Sequence, residues 1–347
     1  MLKTRPGHKF AVSVAVLAAF FAFWAINTAC AAERKSIRWG TATPGSYGYK
    51  VAAQMVGVLE NALGGEYTVT VNPYPSPTNA MKAMMDGEAE ISYTADVGMG
   101  QFYDGVGGFQ GYTPTKPKIV HTWYAYPMES FMAVYAPRAS QFKSLGDFSG
   151  KPVFFTPAGF MNWLNFQRIF KALGYQFKHV QIGEAAQGDA LQAGTIDGAV
   201  CYTTAGRSLP SYWRETELRL DIKVINPSPD EVKKLKAAGL VPMEVDPAKV
   251  FSKDVGVKTI LGVPLLFGYN VRADMPEVVV YKMLNKFYAE RENLAKADPG
   301  FTPLARDFTG LQAMGINANP TIPVHPGLAK FLKEHNAWND KWTIAGK

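Results

Sequence analysis

The sequence predicts an α/β fold of two lobes joined by a hinge of crossing strands. Three observations carry that expectation: strand and helix patterns alternate with short connections, the same order returns downstream, and long apolar strand patterns bracket the second copy.

The chain opens with Lys3, Arg5 and Lys9, an uncharged apolar run over 10–26, and the small residues of 28–32. That is the layout of a secretory signal cleaved near Ala31 or Ala32. The run falls short of the roughly 20 apolar residues that span a bilayer. Asn27 stands where a lipoprotein signal ahead of Cys30 needs an aliphatic residue. Residues 1–32 therefore read as a leader and the remainder as exported. Cys201 is then the sole cysteine, so no internal disulfide can form. The 36 basic residues less the leader's three leave 33 against 29 acidic, scattered along the chain, a balance that argues against nucleic acid.

The first strand pattern is Ile37-Arg-Trp-Gly40, and it runs into the turn Thr41-Ala-Thr-Pro-Gly-Ser46. Ala52, Met55, Val56, Leu59 and Leu63 share one helical face that Gly64-Gly65 ends. Thr68 to Val71 alternates as a strand, 72–77 is a proline-rich loop, Thr78 to Met85 is a short helix, and Ile91 to Thr94 is the next strand. The order repeats with a strand at 152–156, a turn at Pro157-Ala-Gly159, a helix over 162–173, a strand at 179–182, a short helix at 188–193 and a strand ending at Tyr202-Thr203. Asp86 to Thr94 and Ala193 to Thr203 align as glycine stop, acid and strand closing in Tyr-Thr. Strand patterns at 118–126 and 130–135 lie between the units, and 261–270 follows the second. A strand leaving the first unit and another returning to it make a two-stranded hinge. Helices follow at 276–297 and 326–335. The lobes expected are 33–135 with 262–347, and 136–261. Ligands of open α/β sheets lie beyond the carboxyl ends of strands, so both glycine turns should share one cleft.

Gly40, Gly45 and Gly48 do not make G-x-G-x-x-G, and Ser46-Tyr47 stands where a phosphate loop needs Lys then Ser or Thr. A turn feeding a helix still offers free N–H groups and a positive dipole end, which suit a carboxylate.

The opening turn, together with Leu145-Gly-Asp-Phe-Ser-Gly-Lys-Pro-Val153, Gly194-Thr-Ile-Asp-Gly-Ala-Val200, 273–283 and Ile322-Pro-Val-His-Pro-Gly327 with its helix to Glu334, resembles the TAXI-type solute receptors of TRAP transporters over essentially the whole mature chain. That resemblance implies a type II periplasmic binding protein that delivers a small organic acid or amino acid, anionic or zwitterionic, to a membrane-embedded TRAP permease. Two departures stand out. The first turn is less glycine-rich than the family's, and the second carries Phe160 and Met161 where the family has small residues.

Expected ligand contacts are Thr41, Thr43, Ser46 and Tyr47 on the first turn, and Thr156, Ala158, Gly159 and Asn162 on the second. Strand ends add Thr94, Ala95, Asp96, Tyr202, Thr203 and Thr204; Pro75 and Ser76 end the second strand; Tyr124 comes from the hinge; Arg207 could grip a carboxylate bidentately. Each has an ordinary alternative: capping by Ser, Thr and Asn, core packing for the aromatics, a solvated face for the arginine. Cys201 reads as a buried small hydrophobe and His325-Pro326 as a helix start. No H-E-x-x-H, C-x-x-C or G-x-S-x-G occurs. A receptor without cofactor, metal or catalysis is the expectation; a receptor for an ATP-driven importer and an exported hydrolase or lyase are the alternatives.

Overall fold

The computed structural model describes residues 34–346, and the leader expected over 1–32 lies outside them. The first unit runs β1 (Lys35–Thr41), α1 (Tyr47–Ala62), β2 (Tyr67–Pro73), α2 (Pro77–Met85), β3 (Ile91–Ala95) and α3 (Asp96–Asp104). The chain then forms β4 (Ile119–Val120) and β5 (Tyr124–Tyr135). The second unit holds β6 (Pro152–Phe154), α4 (Met161–Leu173), β7 (Lys178–His179), α5 (Gln187–Ala193), β8 (Gly198–Thr204), α6 (Ser211–Arg219), β9 (Ile222–Ile225), α7 (Pro229–Ala237) and β10 (Met243–Val245). β11 (Ile260–Arg272) leads to α8 (Glu277–Ala297), α9 (Thr302–Arg306), α10 (Phe308–Ala318) and α11 (Pro326–Glu334).

One mixed sheet carries the order β2-β1-β3-β11-β5-β8-β6-β7, with β4 and β10 also on β11 and β9 on β5. β1 pairs parallel with β2 and β3, as β6 does with β7 and β8. The two units thus stand as counterparts on either side of the antiparallel pair β5 and β11, with β3 and β8 in matching places. The aligned segments at 86–94 and 193–203 enter those matching strands. β11 bulges between Phe267 and Gly268. A Cβ on Gly268 would lie 2.0 Å from the Trp123 carbonyl oxygen, so only glycine fits.

Two strand expectations are corrected. The strand patterns at 118–126 and 130–135 divide elsewhere than expected. β4 stops at Val120, and β5 runs unbroken from Tyr124. In the gap the Thr122 and Trp123 N–H groups donate to the Asn270 carboxamide oxygen, at 2.8 and 3.3 Å, and a side chain replaces the ladder. The strand expected at 179–182 is only Lys178–His179, because β7 sits at the sheet edge and pairs with β6 alone.

Apolar side chains of β1, β3, α1, α2 and the C-terminal helices form one core, around Trp39, Met55, Tyr269 and Phe287. Smaller cores on the two faces of the second unit centre on Trp213 and Phe131, and on Phe155 and Phe170. Cys201 is buried in the first of these, its thiol pushed up by burial. His325 caps α11: its Nδ1 accepts from the Gly327 N–H at 3.1 Å while Nε2 faces the Met275 carbonyl at 2.9 Å. Among the described residues no helix is long and apolar enough to cross a membrane.

Candidate functional site

A cleft of about 830 Å³ opens between the two units. The turn after β1 supplies Ala42 to Ser46 to its wall, and the turn after β6 supplies Phe160, Met161 and Asn162. Both enter because parallel strands present their carboxyl ends on one side of the sheet.

α1 is capped by Ser46, whose hydroxyl accepts from the Tyr49 N–H at 3.2 Å. The N–H groups of Tyr47 and Gly48 are left without intrahelical acceptors. α4 begins at Met161, and Phe160 before it gives no side-chain cap, so its first-turn donors also face outward to the cleft. Asn162 is held in place by Ser130, whose hydroxyl donates to the Asn162 carboxamide oxygen at 2.6 Å. Upstream of that turn Thr156 holds φ at 74°, a left-handed backbone that costs a residue with a Cβ about 1 kcal/mol or more.

The floor and sides are aromatic and apolar: Tyr93, Met128, Tyr202, Tyr212 and Phe267. Tyr93 stacks on Phe267 with ring centroids 4.5 Å apart, and its hydroxyl accepts from that of Tyr126 at 3.0 Å. The charged groups at the wall are Lys50, Asp298, Arg214 and Glu184. Lys50 reaches Asp298 at 2.9 Å, and the Tyr47 hydroxyl donates to the same carboxylate at 2.7 Å. Burial pushes the Asp298 carboxyl up, but the Gly300 N–H, the Tyr47 hydroxyl and the Lys50 ammonium together hold it below the usual range. Arg214 is turned to Glu217 and to the Val250 carbonyl. Glu184 makes no ion pair among the described residues; burial raises its carboxyl, against a smaller lowering by the nearby Tyr212 hydroxyl.

Of the expected contacts, Thr43, Ser46, Tyr47, Asn162 and Tyr202 lie on the cleft wall. The rest lie elsewhere. Thr41 is buried, and its hydroxyl donates to the Ala42 carbonyl. Pro75 is exposed; Ser76 caps α2. Thr94 and Ala95 are buried in β3, the Thr94 hydroxyl against the Met81 sulfur. Asp96 accepts from the Leu266 N–H at 2.6 Å and from Arg168 at 2.9 Å. Tyr124 is fully buried and bonded to His121, the hydroxyl 2.6 Å from Nδ1. Thr156 is buried in the turn. Ala158 is exposed and donates its N–H to Gln181. The Gly159 carbonyl accepts from the Thr78 hydroxyl across the gap at 2.8 Å. Thr203 donates to the buried Glu129 at 2.6 Å, Thr204 bridges to Ser208, and Arg207 points to solvent.

Sequence reasoning missed Lys50, Glu184, Tyr212, Arg214 and Asp298. Tyr47 and Asp298 meet across 251 positions, a pairing no local spacing reports. Tyr212 and Arg214 sit on a helix whose buried residues are Trp213, Thr216 and Glu217, which leaves no apolar stripe to find. Among the described residues no cluster of His, Cys, Asp and Glu is arranged to hold a metal ion.

The model of the NMT1-like family matches residues 39–335. No curated protein matches in sequence. Among solved structures the chain is similar to MatC from Rhodopseudomonas palustris with bound malate. That match has a TM-score of 0.53 at 12% identity and covers 83% of this chain and 97% of that one. It is also similar to the periplasmic aliphatic sulphonate binding protein SsuA from Escherichia coli, with a TM-score of 0.47 at 15% identity over 90% and 96% of the two chains. At such identities the likeness speaks to the fold, which is that of a type II periplasmic binding protein.

Proposed function

The chain belongs to the NMT1-like family, and from that premise we propose that it is an extracytoplasmic solute-binding receptor serving a membrane transporter. Residues 33–135 with 262–347 form lobe I, 136–261 form lobe II, and the solute is held by closure about β5 and β11. One observation carries this reading: two helix N-termini, from opposite units, open onto one aromatic-walled cleft. Their free N–H groups receive a carboxylate, the rings pack against the solute body, and the solute leaves unchanged. Thr43, Ser46, Tyr47, Asn162 and Tyr202 are the proposed contacts. The transporter is of the TRAP type on the strength of the TAXI-like segments. Membership of the NMT1-like family favours an ATP-driven importer equally, and the neighbouring gene, a large permease or an ATPase, decides between them.

The test is thermal unfolding with small organic acids and amino acids. A bound solute at a hundredfold excess over Kd stabilises by roughly 2.7 kcal/mol, and it is recovered unchanged. Ser46→Asp keeps a good helix cap but sets a negative charge beside the carboxylate, so calorimetric affinity falls at least about tenfold. Unchanged affinity would place the solute away from this turn, and turnover of the compound would make the protein an enzyme.

A further inference from the structure

We propose that the wall formed by Glu184, Tyr202 and Tyr212 is a subsite for an ammonium group, so that the solute carries an amine as well as a carboxylate. This rests on the receptor reading above and narrows its solute class.

The four charged side chains at the cleft do not share one fate. Lys50 and Asp298 neutralise each other, and Arg214 is spent on Glu217 and the Val250 carbonyl. Glu184 alone makes no ion pair among the described residues, although it is partly buried at the cleft wall. An unpaired carboxylate out of water is unfavourable until a proton or a cation reaches it. Beside it the Tyr212 hydroxyl is buried and has no hydrogen-bond partner among the described residues. That hydroxyl lies near enough to Glu184 and Tyr202 to act as a weak donor toward both, lowering the Glu184 carboxyl against burial, but it completes no hydrogen bond of normal geometry among the described residues. Buried hydroxyls left unpaired are uncommon in native proteins.

An ammonium group meets all of these needs. It donates to the Glu184 carboxylate in a charge-assisted bond and to the Tyr212 oxygen, which accepts. Tyr202, 9% exposed, stands edge to face with Tyr212, ring centroids 6.5 Å apart, and adds the negative face of an aromatic ring. The same carboxylate repels a solute that has only acidic groups, so the wall selects against plain organic acids as well as for amines. A carboxylate at the helix N-termini and an ammonium at Glu184 together describe an amino acid or a related zwitterion.

Calorimetry on matched probes tests the assignment: L-glutamate against glutarate, 4-aminobutyrate against butyrate, L-phenylalanine against 3-phenylpropionate. The amine-bearing member of the bound pair is expected to bind at least about tenfold tighter. Glu184→Gln removes that preference, and Tyr212→Phe weakens the amine by severalfold while the unliganded melting temperature holds. Tighter binding of the amine-free acids, with affinity indifferent to Glu184→Gln but lost in Ser46→Asp, would overturn the amine subsite and leave the receptor standing. No binding by any probe, with no small molecule co-purifying in native mass spectrometry, would bring down both.

Discussion

Glu129 sits in the middle of β5, 1% exposed, and among the described residues its partners are neutral donors: the Thr203 hydroxyl at 2.6 Å and the Gly206 N–H at 2.9 Å. Burial outweighs these bonds and lifts the carboxyl from 4.5 to about 7. Across that window the native chain keeps a proton that the unfolded chain has released. The contribution to stability is therefore full below the window and is lost as pH rises through it, about 3 kcal/mol in all. Denaturant unfolding at pH about 5 and about 8 should show this loss in the wild type. It should be missing in Glu129→Gln, which keeps an acceptor for both donors but cannot titrate. Equal slopes in the two proteins would mean that the carboxyl is solvated. The residue scale is also where sequence reads least well. Thr43, Ser46 and Tyr47 were legible because a turn between strand and helix announces them. Glu184 and Asp298 were not, since each gains its place from chain hundreds of positions away or from an irregular turn. Arg207 looked apt by chemistry and points to solvent, because the turn at Ala205 and Gly206, both at positive φ, carries it away.

Helix α1 shows how one element is shaped to its neighbours. Gly48 lies in its first turn, and a Cβ there would fall 2.3 Å from the ring of Tyr93, the same ring that floors the cleft. Tyr93 is pinned by stacking on Phe267, and the Tyr269 hydroxyl donates to the Gly48 carbonyl at 3.0 Å, so neither side can retreat cheaply. Gly48→Ala brings a helix-propensity gain of up to about 1 kcal/mol, against an overpacking loss of about 1 to 3 kcal/mol. The loss should win: the variant melts lower and binds solute more weakly, whereas a raised melting temperature would show that Tyr93 moves freely. Elements were legible where an apolar period survives, as in α1, α4 and the paired units. They were missed where burial is polar or short, as in α6. α7 was missed despite a signal: Ser228, Pro229 and Glu231 form a capping box with proline at the first helical position. The outgoing strand was read as two segments because its apolar runs are interrupted near Pro127, yet β5 continues through that proline in its pairing with β11.

For the whole molecule read as the proposed receptor, the working quantity is the free-energy difference between open and closed arrangements of the units. Solute affinity includes whatever contacts exist only when they meet. Behind the cleft the units are joined by Arg168 and Asp96 at 2.9 Å, with Asp96 also anchored on the Leu266 N–H of β11. On the proposed closure about β5 and β11, that contact lies beside the axis and is expected to persist. At the mouth the Thr78 hydroxyl of α2 donates to the Gly159 carbonyl of the second turn at 2.8 Å, a bond that any opening breaks. Thr78→Val keeps the shape and removes the donor. A neutral hydrogen bond of this kind is worth about 0.5 to 1.5 kcal/mol, so affinity should fall by about two- to tenfold, mostly as faster release. The unliganded melting temperature should stay nearly level, because the hinge pair and the cores of both units are untouched. Stopped-flow release and thermal melts on the same two proteins separate the cases. Faster release with an unchanged melt is the signature of a latch that acts on closure, and a lowered melt with unchanged release would make Thr78 an ordinary part of the folded surface.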